Sequence, residues 1–566
     1  MKNFRVNLIF IFFIFLWAAI ISKLFFVQIV HFDFYKALAQ GQQKFLSEFQ
    51  GKRGTIFLKD GERKIPLAIN RVWTFCYISP REIKNTEETM EKLSVTLSLE
   101  KDKILEKINS QNEESSFLVL KQKLNEEEIS NIKKINLPGI YLAEESLREY
   151  PQESLASHVI GFLGGEGEGQ YGVEGYFDYN LEGRQGFLEG EKGPLGFLFL
   201  NSESYLADKN GSDILLTIDY NVQFMAEKLL KEAKEKLEIE EGQILVMDPN
   251  SGKIIALANF PNFNPNTYPE EKNLDIFQNS AIQKVFEPGS VFKPITMAAA
   301  LDQEKITPLT TYTDPGVIKI GGWPIYNYDQ RKYPGDITMT EVLEKSINTG
   351  AVFAEKQLSH AFFSEYIEKF GFFAKTEIDL QGEDLSPNEE FKKGNEINFA
   401  TASFGQGIAV TPIQLVRAFA AIANGGKLVK PFVVDKIFEN GKITETQTVV
   451  SSSVISQRTA GQLTAMLVSV VDKGYSKAAK IPGYYIAGKT GTAQVPWSAL
   501  GVDRKGYSDK TIQTFMGFAP AFKPQFVILI KLNNPKTKTA EYSAVPIFQE
   551  LTKYIIDLWQ IPPDYE

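Results

Sequence analysis

Cysteine occurs once in 566 residues, at Cys76. A single thiol excludes an intramolecular disulfide framework and any cysteine-rich zinc site. Histidine is nearly as scarce. His31, His158 and His360 lie far apart and form no H-E-x-x-H pair, so no metal and no cofactor is expected. A Ser-His-Asp triad would have to recruit His360. That residue sits in Leu358-Ser359-His360-Ala361 without any other catalytic signature and reads as structural. Excess positive charge is also missing. Lysine and arginine number 61 against 70 acidic residues, a net charge of −9, which argues against a nucleic-acid partner. The glycines of Gly165-Glu166-Gly167-Glu168-Gly169 are flanked by carboxylates and lack a following Lys-Ser/Thr, so they read as a flexible loop and not a phosphate cradle.

Long apolar runs are confined to the N-terminus. Val6 to Ser22 carries no charge, and after Lys23 the run resumes to Val30. That length suits a hydrocarbon core of roughly 30 Å. Lys2 and Arg5 precede it, so an uncleaved single-pass transmembrane anchor with a cytoplasmic N-terminus and an extracytoplasmic remainder is expected. The chain then divides into a cytoplasmic tip and anchor (1–30), a non-catalytic pedestal (31–207) and a catalytic domain (208–566). In the pedestal, Glu87 to Leu97 and Leu124 to Ile135 read as helices, and Phe117 to Leu120 as a strand. In the last region, Gly242 to Asp248 and Lys253 to Ala258 read as a hairpin. Strands recur at Gly483 to Gln494, Thr514 to Ala519 and Gln525 to Leu532. Helices are expected over Val291 to Leu301, Thr340 to Leu358, Thr411 to Asn424 and Val545 to Trp559. Strands at both ends with helices between them predict an α+β fold, one antiparallel sheet plus a helical lobe.

Three short strings carry the chemistry: Ser290-Val291-Phe292-Lys293, Ser346-Ile347-Asn348 and Lys489-Thr490-Gly491. Each is weak alone. In this order they point to a serine acyltransferase that uses lysine in place of histidine. Ser290 opens a helix after Glu287-Pro288-Gly289, and Lys293 follows one turn later, within reach of its hydroxyl. A serine hydroxyl needs a base. A lysine with an ordinary pKa of about 10.4 cannot serve, but burial and a second cation, Lys489, would lower it. Ser346 is expected to relay a proton to the leaving amine, and Asn348 to bond Lys293 and the substrate amide. Gly491 removes a side chain where another backbone approaches. Lys489 and Thr490 would bind a carboxylate, with the backbone N–H groups of Ser290 and Thr492 as oxyanion hole.

With these residues the chain resembles the class B penicillin-binding proteins, monofunctional D,D-transpeptidases that cross-link peptidoglycan. The resemblance rests on Glu287 to Pro294, Ser403 to Pro412 and Ala487 to Gln494. It extends to Arg53-Gly54-Thr55-Ile56, Arg148-Glu149-Tyr150-Pro151, Gly172-Val173-Glu174 and Leu181 to Gly186 in a dimerisation-domain-like pedestal. It implies a penicilloyl-serine transferase fold and an acyl-enzyme on Ser290. It implies catalytic roles for Lys293, Ser346, Asn348 and Lys489, and substrate binding by Thr490, Gly491 and Thr492. Peptidoglycan stem peptides are the implied substrates and β-lactams the inhibitors. A polytopic lipid II polymerase and other divisome-type membrane proteins are the implied partners. Ser403-Phe404-Gly405-Gln406-Gly407 is more similar to division or sporulation members than to elongation members, so septal wall synthesis is expected. An elongation-type transpeptidase, a β-lactamase, and a β-lactam-binding scaffold or sensor that does not turn over are the alternatives.

Overall fold

The computed structural model describes Trp17, Ile20, Lys23 and residues 44–83, 85–109, 117–135, 137–183, 185–192, 198–206 and 210–566. The chain forms two compact units, residues 1–54 with 182–212, and residues 55–181 with 213–566. In the first unit, strands Lys44–Gln50, Gln185–Lys192 and Leu198–Leu206 make a three-stranded antiparallel sheet with Gln185–Lys192 in the middle.

The second unit contains a seven-stranded sheet. Ile56–Asp60 and Arg63–Ile78 form a hairpin whose turn holds Gly61 at φ +58°. Ile140–Glu149 and Leu118–Lys121 pair with Arg63–Ile78. Asp213–Asp219 lies parallel to Ile56–Asp60 and antiparallel to Val434–Glu439. Strands from both sides of residue 208 thus share one sheet. Two of the pedestal motifs meet nearby. Arg148 Nε donates to Glu174 Oε1 at 2.7 Å, and both side chains are buried. The region around the Gly165 to Gly169 loop carries regular elements. It holds a small hairpin, Phe162–Leu163 with Gly169–Gln170, and short helices Gly172–Tyr176 and Asp178–Leu181.

A second sheet of five antiparallel strands runs Ile254–Phe260, Glu241–Met247, Phe526–Asn533, Tyr507–Ala519, Ala487–Pro496. Its central strands read as continuous apolar runs because both faces are covered. Ile244, Val246, Ile528 and Ile530 pack with Leu230 of helix Tyr220–Leu237 and Phe548 and Leu551 of helix Ala544–Trp559. The alternate residues Leu245, Met247, Val527 and Leu529 share a core with helices Lys293–Asp302, Pro412–Ala423 and Gln457–Lys473. This is the period-two alternation of a strand. Each fully buried side chain contributes roughly 1.5–3 kcal/mol. Helix Gln457–Lys473 was not among the expected elements, although Leu463, Met466, Leu467 and Val470 carry its spacing.

The α+β layout with an antiparallel sheet is as expected, but the membrane anchor is corrected. Among the described residues no helix is long and apolar enough to cross a membrane. Tyr220–Leu237, an 18-residue helix, carries Glu227, Lys228, Lys231 and Glu232 through its middle and buries only one face. Of the expected span, only Trp17, Ile20 and Lys23 belong to the described residues. The rest of it, and the stalk as far as Gln43, lies outside them. The single-pass localisation drawn from that span falls with it.

Candidate active site

The nucleophile turn is built by the sequence around Pro288. Gly289–Phe292 is a 3-10 turn that runs into helix Lys293–Asp302, and the Lys293 N–H donates to the Ser290 carbonyl. Residues i and i+3 eclipse in such a turn, so the Ser290 and Lys293 side chains leave it on the same side. Ser290 is half-buried, whereas Lys293 is fully buried.

Expectation placed one helix over Thr340 to Leu358. The structure breaks it into Met339–Glu344 and Asn348–Lys356, with Ser346 at φ +53° between them. Ile347 N–H donates to the Val342 carbonyl and Ser346 N–H to that of Leu343. Those bonds form a Schellman closure, whose left-handed position normally takes glycine. Here it takes serine, and the hydroxyl is engaged. Lys293 Nζ donates to Ser346 O at 2.6 Å and to Ser346 Oγ at 3.2 Å. Lys489 Nζ donates to the same Oγ at 2.9 Å and to the Thr490 carbonyl at 2.9 Å. One hydroxyl therefore joins two buried amines. Burial, and then the charge of Lys489, push Lys293 well below the ordinary lysine range. Burial brings Lys489 down to about 7.

The strand Ala487–Pro496 is the edge of its sheet, with one side unpaired within that sheet. Gly491 allows it to lie against the nucleophile turn. A Cβ there would sit 3.0 Å from the Pro288 carbonyl oxygen and 3.0 Å from Val291 Cγ1. From the other side Gly289, at φ +59°, faces the Ala493 Cβ at 3.0 Å from where its own would be. Lys489 is set back from the groove, buried, with Thr490 Oγ1 accepting from it at 3.4 Å. Thr490 and Thr492 are half-buried, and the Thr492 hydroxyl accepts the Ala540 N–H at 3.2 Å.

Asn348 is placed differently from expectation. Its side-chain amide donates to the Tyr326 carbonyl at 2.9 Å, not to Lys293. Behind it lies a group of residues that no sequence motif marks. Buried Asp314 accepts from Thr349 Oγ1 at 2.7 Å, from Tyr333 N–H at 2.8 Å and from the Asn327 amide. Burial favours its acid form, but these donors outweigh it and hold the carboxyl below its ordinary range. Asp314 so fixes the start of the helix that carries Asn348. In the sequence, Asp314-Pro315-Gly316 announces only a turn.

The Ser403 to Gly407 loop braces the nucleophile turn. Gly289 N–H donates to the Gly405 carbonyl at 2.9 Å, and Thr296 Oγ1 to that of Ser403 at 2.8 Å. A Cβ on Gly405 would fall 2.2 Å from the Gly289 oxygen. Gly407 N–H donates to Glu287 Oε1 at 3.1 Å, and Tyr507 OH to Glu287 Oε2 at 3.0 Å. His360 takes no part. It stacks on Phe399 at 4.1 Å and lies 3.8 Å from Glu355.

The penicillin binding protein transpeptidase domain family matches residues 242–553, and the penicillin-binding protein dimerisation domain family matches residues 48–216. Stage V sporulation protein D of Bacillus subtilis is 31% identical over 94% of this chain and 82% of its own length. Peptidoglycan D,D-transpeptidase FtsI of Escherichia coli is 29% identical over 90% of this chain and 84% of its own. The same fold occurs in the solved structure of penicillin binding protein 3 from Mycobacterium tuberculosis complexed with aztreonam. That structure has a TM-score of 0.70 and 24% identity, and the match covers 91% of this chain and 98% of that one.

Proposed function

This chain belongs to the penicillin-binding protein transpeptidase family, whose members are serine-type D,D-transpeptidases of peptidoglycan, and on that premise we propose a role for each residue of its site. The observation that carries the assignment is the convergence of Lys293 and Lys489 on the Ser346 hydroxyl. A buried amine next to a second amine is held neutral, and only a neutral lysine can take a proton from serine.

Ser290 is the nucleophile and Lys293 its general base. Attack on the penultimate D-alanine carbonyl joins Ser290 Oγ to carbon, and the proton passes to Lys293. Ser346 then relays it to the amine of the departing terminal D-alanine as the peptide bond breaks. An acceptor amine reverses the proton path and releases Ser290. Lys489 supplies positive charge from behind Thr490 and Thr492, whose hydroxyls meet the substrate carboxylate. Backbone N–H groups of Ser290 and Thr492 stabilise the oxyanion. Asn348 positions the substrate amide from the helix start that Asp314 fixes.

A division or sporulation role is the finer reading. It is supported by the Ser403 to Gly407 signature and by similarity to relatives named for sporulation and for FtsI. Residues 31–207 would then serve as a pedestal that docks a polytopic lipid II polymerase and other division proteins, with 208–566 as the catalytic domain.

A time course with fluorescent penicillin on the purified protein tests the site. Label that forms on the wild type, persists for many minutes and is absent from Ser290→Ala supports a transpeptidase-type acyl-enzyme. Rapid loss of label with drug turnover identifies a β-lactamase instead. No label on folded protein removes the assignment.

A further inference from the structure

A cavity of about 540 Å³ lies at the Pro496 end of the Lys489 strand, lined by Glu287, Pro496, Asp503, Arg504, Lys505 and Tyr507. Asp503, Arg504 and Lys505 are exposed on the loop. Arg504 is drawn towards Trp497, its guanidinium 4.9 Å from that ring. Glu287 is the one ionisable lining residue that is not exposed, and it stands three residues before the nucleophile. Its two hydrogen bonds come from neutral donors, the Gly407 N–H and the Tyr507 hydroxyl. Among the described residues no cation forms an ion pair with it. Burial pushes its carboxyl above the ordinary range, against the pull of those two bonds. A carboxylate half out of water without a counter-ion is costly. It becomes favourable once a ligand brings the opposite charge.

The reaction supplies such a ligand. In a cross-linked polymer each stem peptide is a donor through its terminal carbonyl and an acceptor through an amine. A donor stem therefore carries a free ammonium of its own. With its terminal carboxylate at Thr490 and its carbonyl at Ser290, the donor continues along the free strand edge towards Gln494 and Pro496. It advances roughly 3.3 Å per residue. The residue that precedes the penultimate D-alanine then stands at the mouth of this cavity.

We propose that Glu287 is a specificity-determining residue, and that its cavity receives the ammonium-tipped side chain of the donor residue that precedes the penultimate D-alanine. This rests on the reading of Ser290 as acyl acceptor. The test compares acylation by two penicillins whose acyl chains are ε-aminocaproyl and N-acetyl-ε-aminocaproyl. That chain occupies the place of the residue before the penultimate D-alanine. In the wild type the free ammonium accelerates acylation on the order of 10- to 100-fold over the acetamide, the range for a hydrogen bond between charged groups. Glu287→Gln keeps an acceptor for Gly407 and brings the ratio close to one. Taking the ratio within each protein cancels any general loss of reactivity. A wild-type ratio of one or below, or a ratio unchanged by Glu287→Gln, overturns the inference. Should that variant not fold, the wild-type ratio alone decides. Failure of both compounds to acylate the wild type instead removes the reading of Ser290.

Discussion

At the scale of single residues, two lysines are held in states that water would not permit. Burial and the charge of Lys489 push Lys293 well below the ordinary lysine range, and burial brings Lys489 down to about 7. As pH falls through the depressed pKa of Lys293, the base is protonated and acylation slows. As pH rises through about 7, Lys489 loses its charge in the free enzyme and carboxylate anchoring weakens. Acylation by a carboxylate-bearing β-lactam should therefore be bell-shaped in pH. Lys489→Arg, which keeps its charge, should lose the alkaline limb; a stopped-flow pH series reads both. Stability follows the same groups. Each lysine binds fewer protons folded than unfolded between its depressed pKa and about 10.4, so stability rises with pH across that window. Lys489→Met should raise stability at neutral pH by roughly 1–4 kcal/mol in urea unfolding while acylation collapses. Ser346 carries a second compromise. Its left-handed backbone costs about 1 kcal/mol in a non-glycine residue. Ser346→Gly should be more stable than Ser346→Ala by that amount, and both should lose acylation equally. A Gly variant no more stable than the Ala variant would mean that the φ of Ser346 stores no strain.

At the scale of elements, the site depends on how closely three backbones approach. The Gly405 loop, the Gly289 turn and the Gly491 strand lie too close for side chains between them. Gly405→Ala meets both a φ of +80° and a backbone oxygen 2.2 Å away. It should destabilise the fold by roughly 2 kcal/mol or more and slow acylation without touching Ser290, Lys293 or Lys489. Thermal unfolding and penicillin labelling check the two effects separately. This scale also shows what sequence can carry. The strands and helices around the three strings are legible because their hydrophobic period is local. Gly491 is legible as a close approach, since glycine in a strand has few other uses. The break at Ser346 is not, because serine is an ordinary residue and its positive φ is imposed by the two helices it joins. Asn348 on Tyr326, Asp314 under Thr349 and Tyr507 on Glu287 are contacts between distant segments. No periodicity encodes them.

At the scale of the whole molecule, an apolar run and a charge bias suggested a membrane helix that the described structure does not contain. Hydropathy reports composition along a line, whereas a spanning helix is a statement about a folded element. A boundary near residue 208 belongs to the same scale. Composition marks it, yet Ile56–Asp60 and Asp213–Asp219 from its two sides are neighbours in one sheet. A chain beginning at residue 208 should therefore expose the edge of Asp213–Asp219 and melt several degrees below the full chain. Equal melting temperatures would show that this sheet tolerates the loss of its Ile56 partner.

The central claim is that Ser290, activated by a neutral Lys293, becomes the acylated atom. Peptide mapping by mass spectrometry after brief exposure to benzylpenicillin tests it most directly. The mechanism predicts one penicilloyl adduct, on the peptide containing Ser290, and none in Lys293→Ala. An adduct on another residue, or an unimpaired rate in Lys293→Ala, would contradict it.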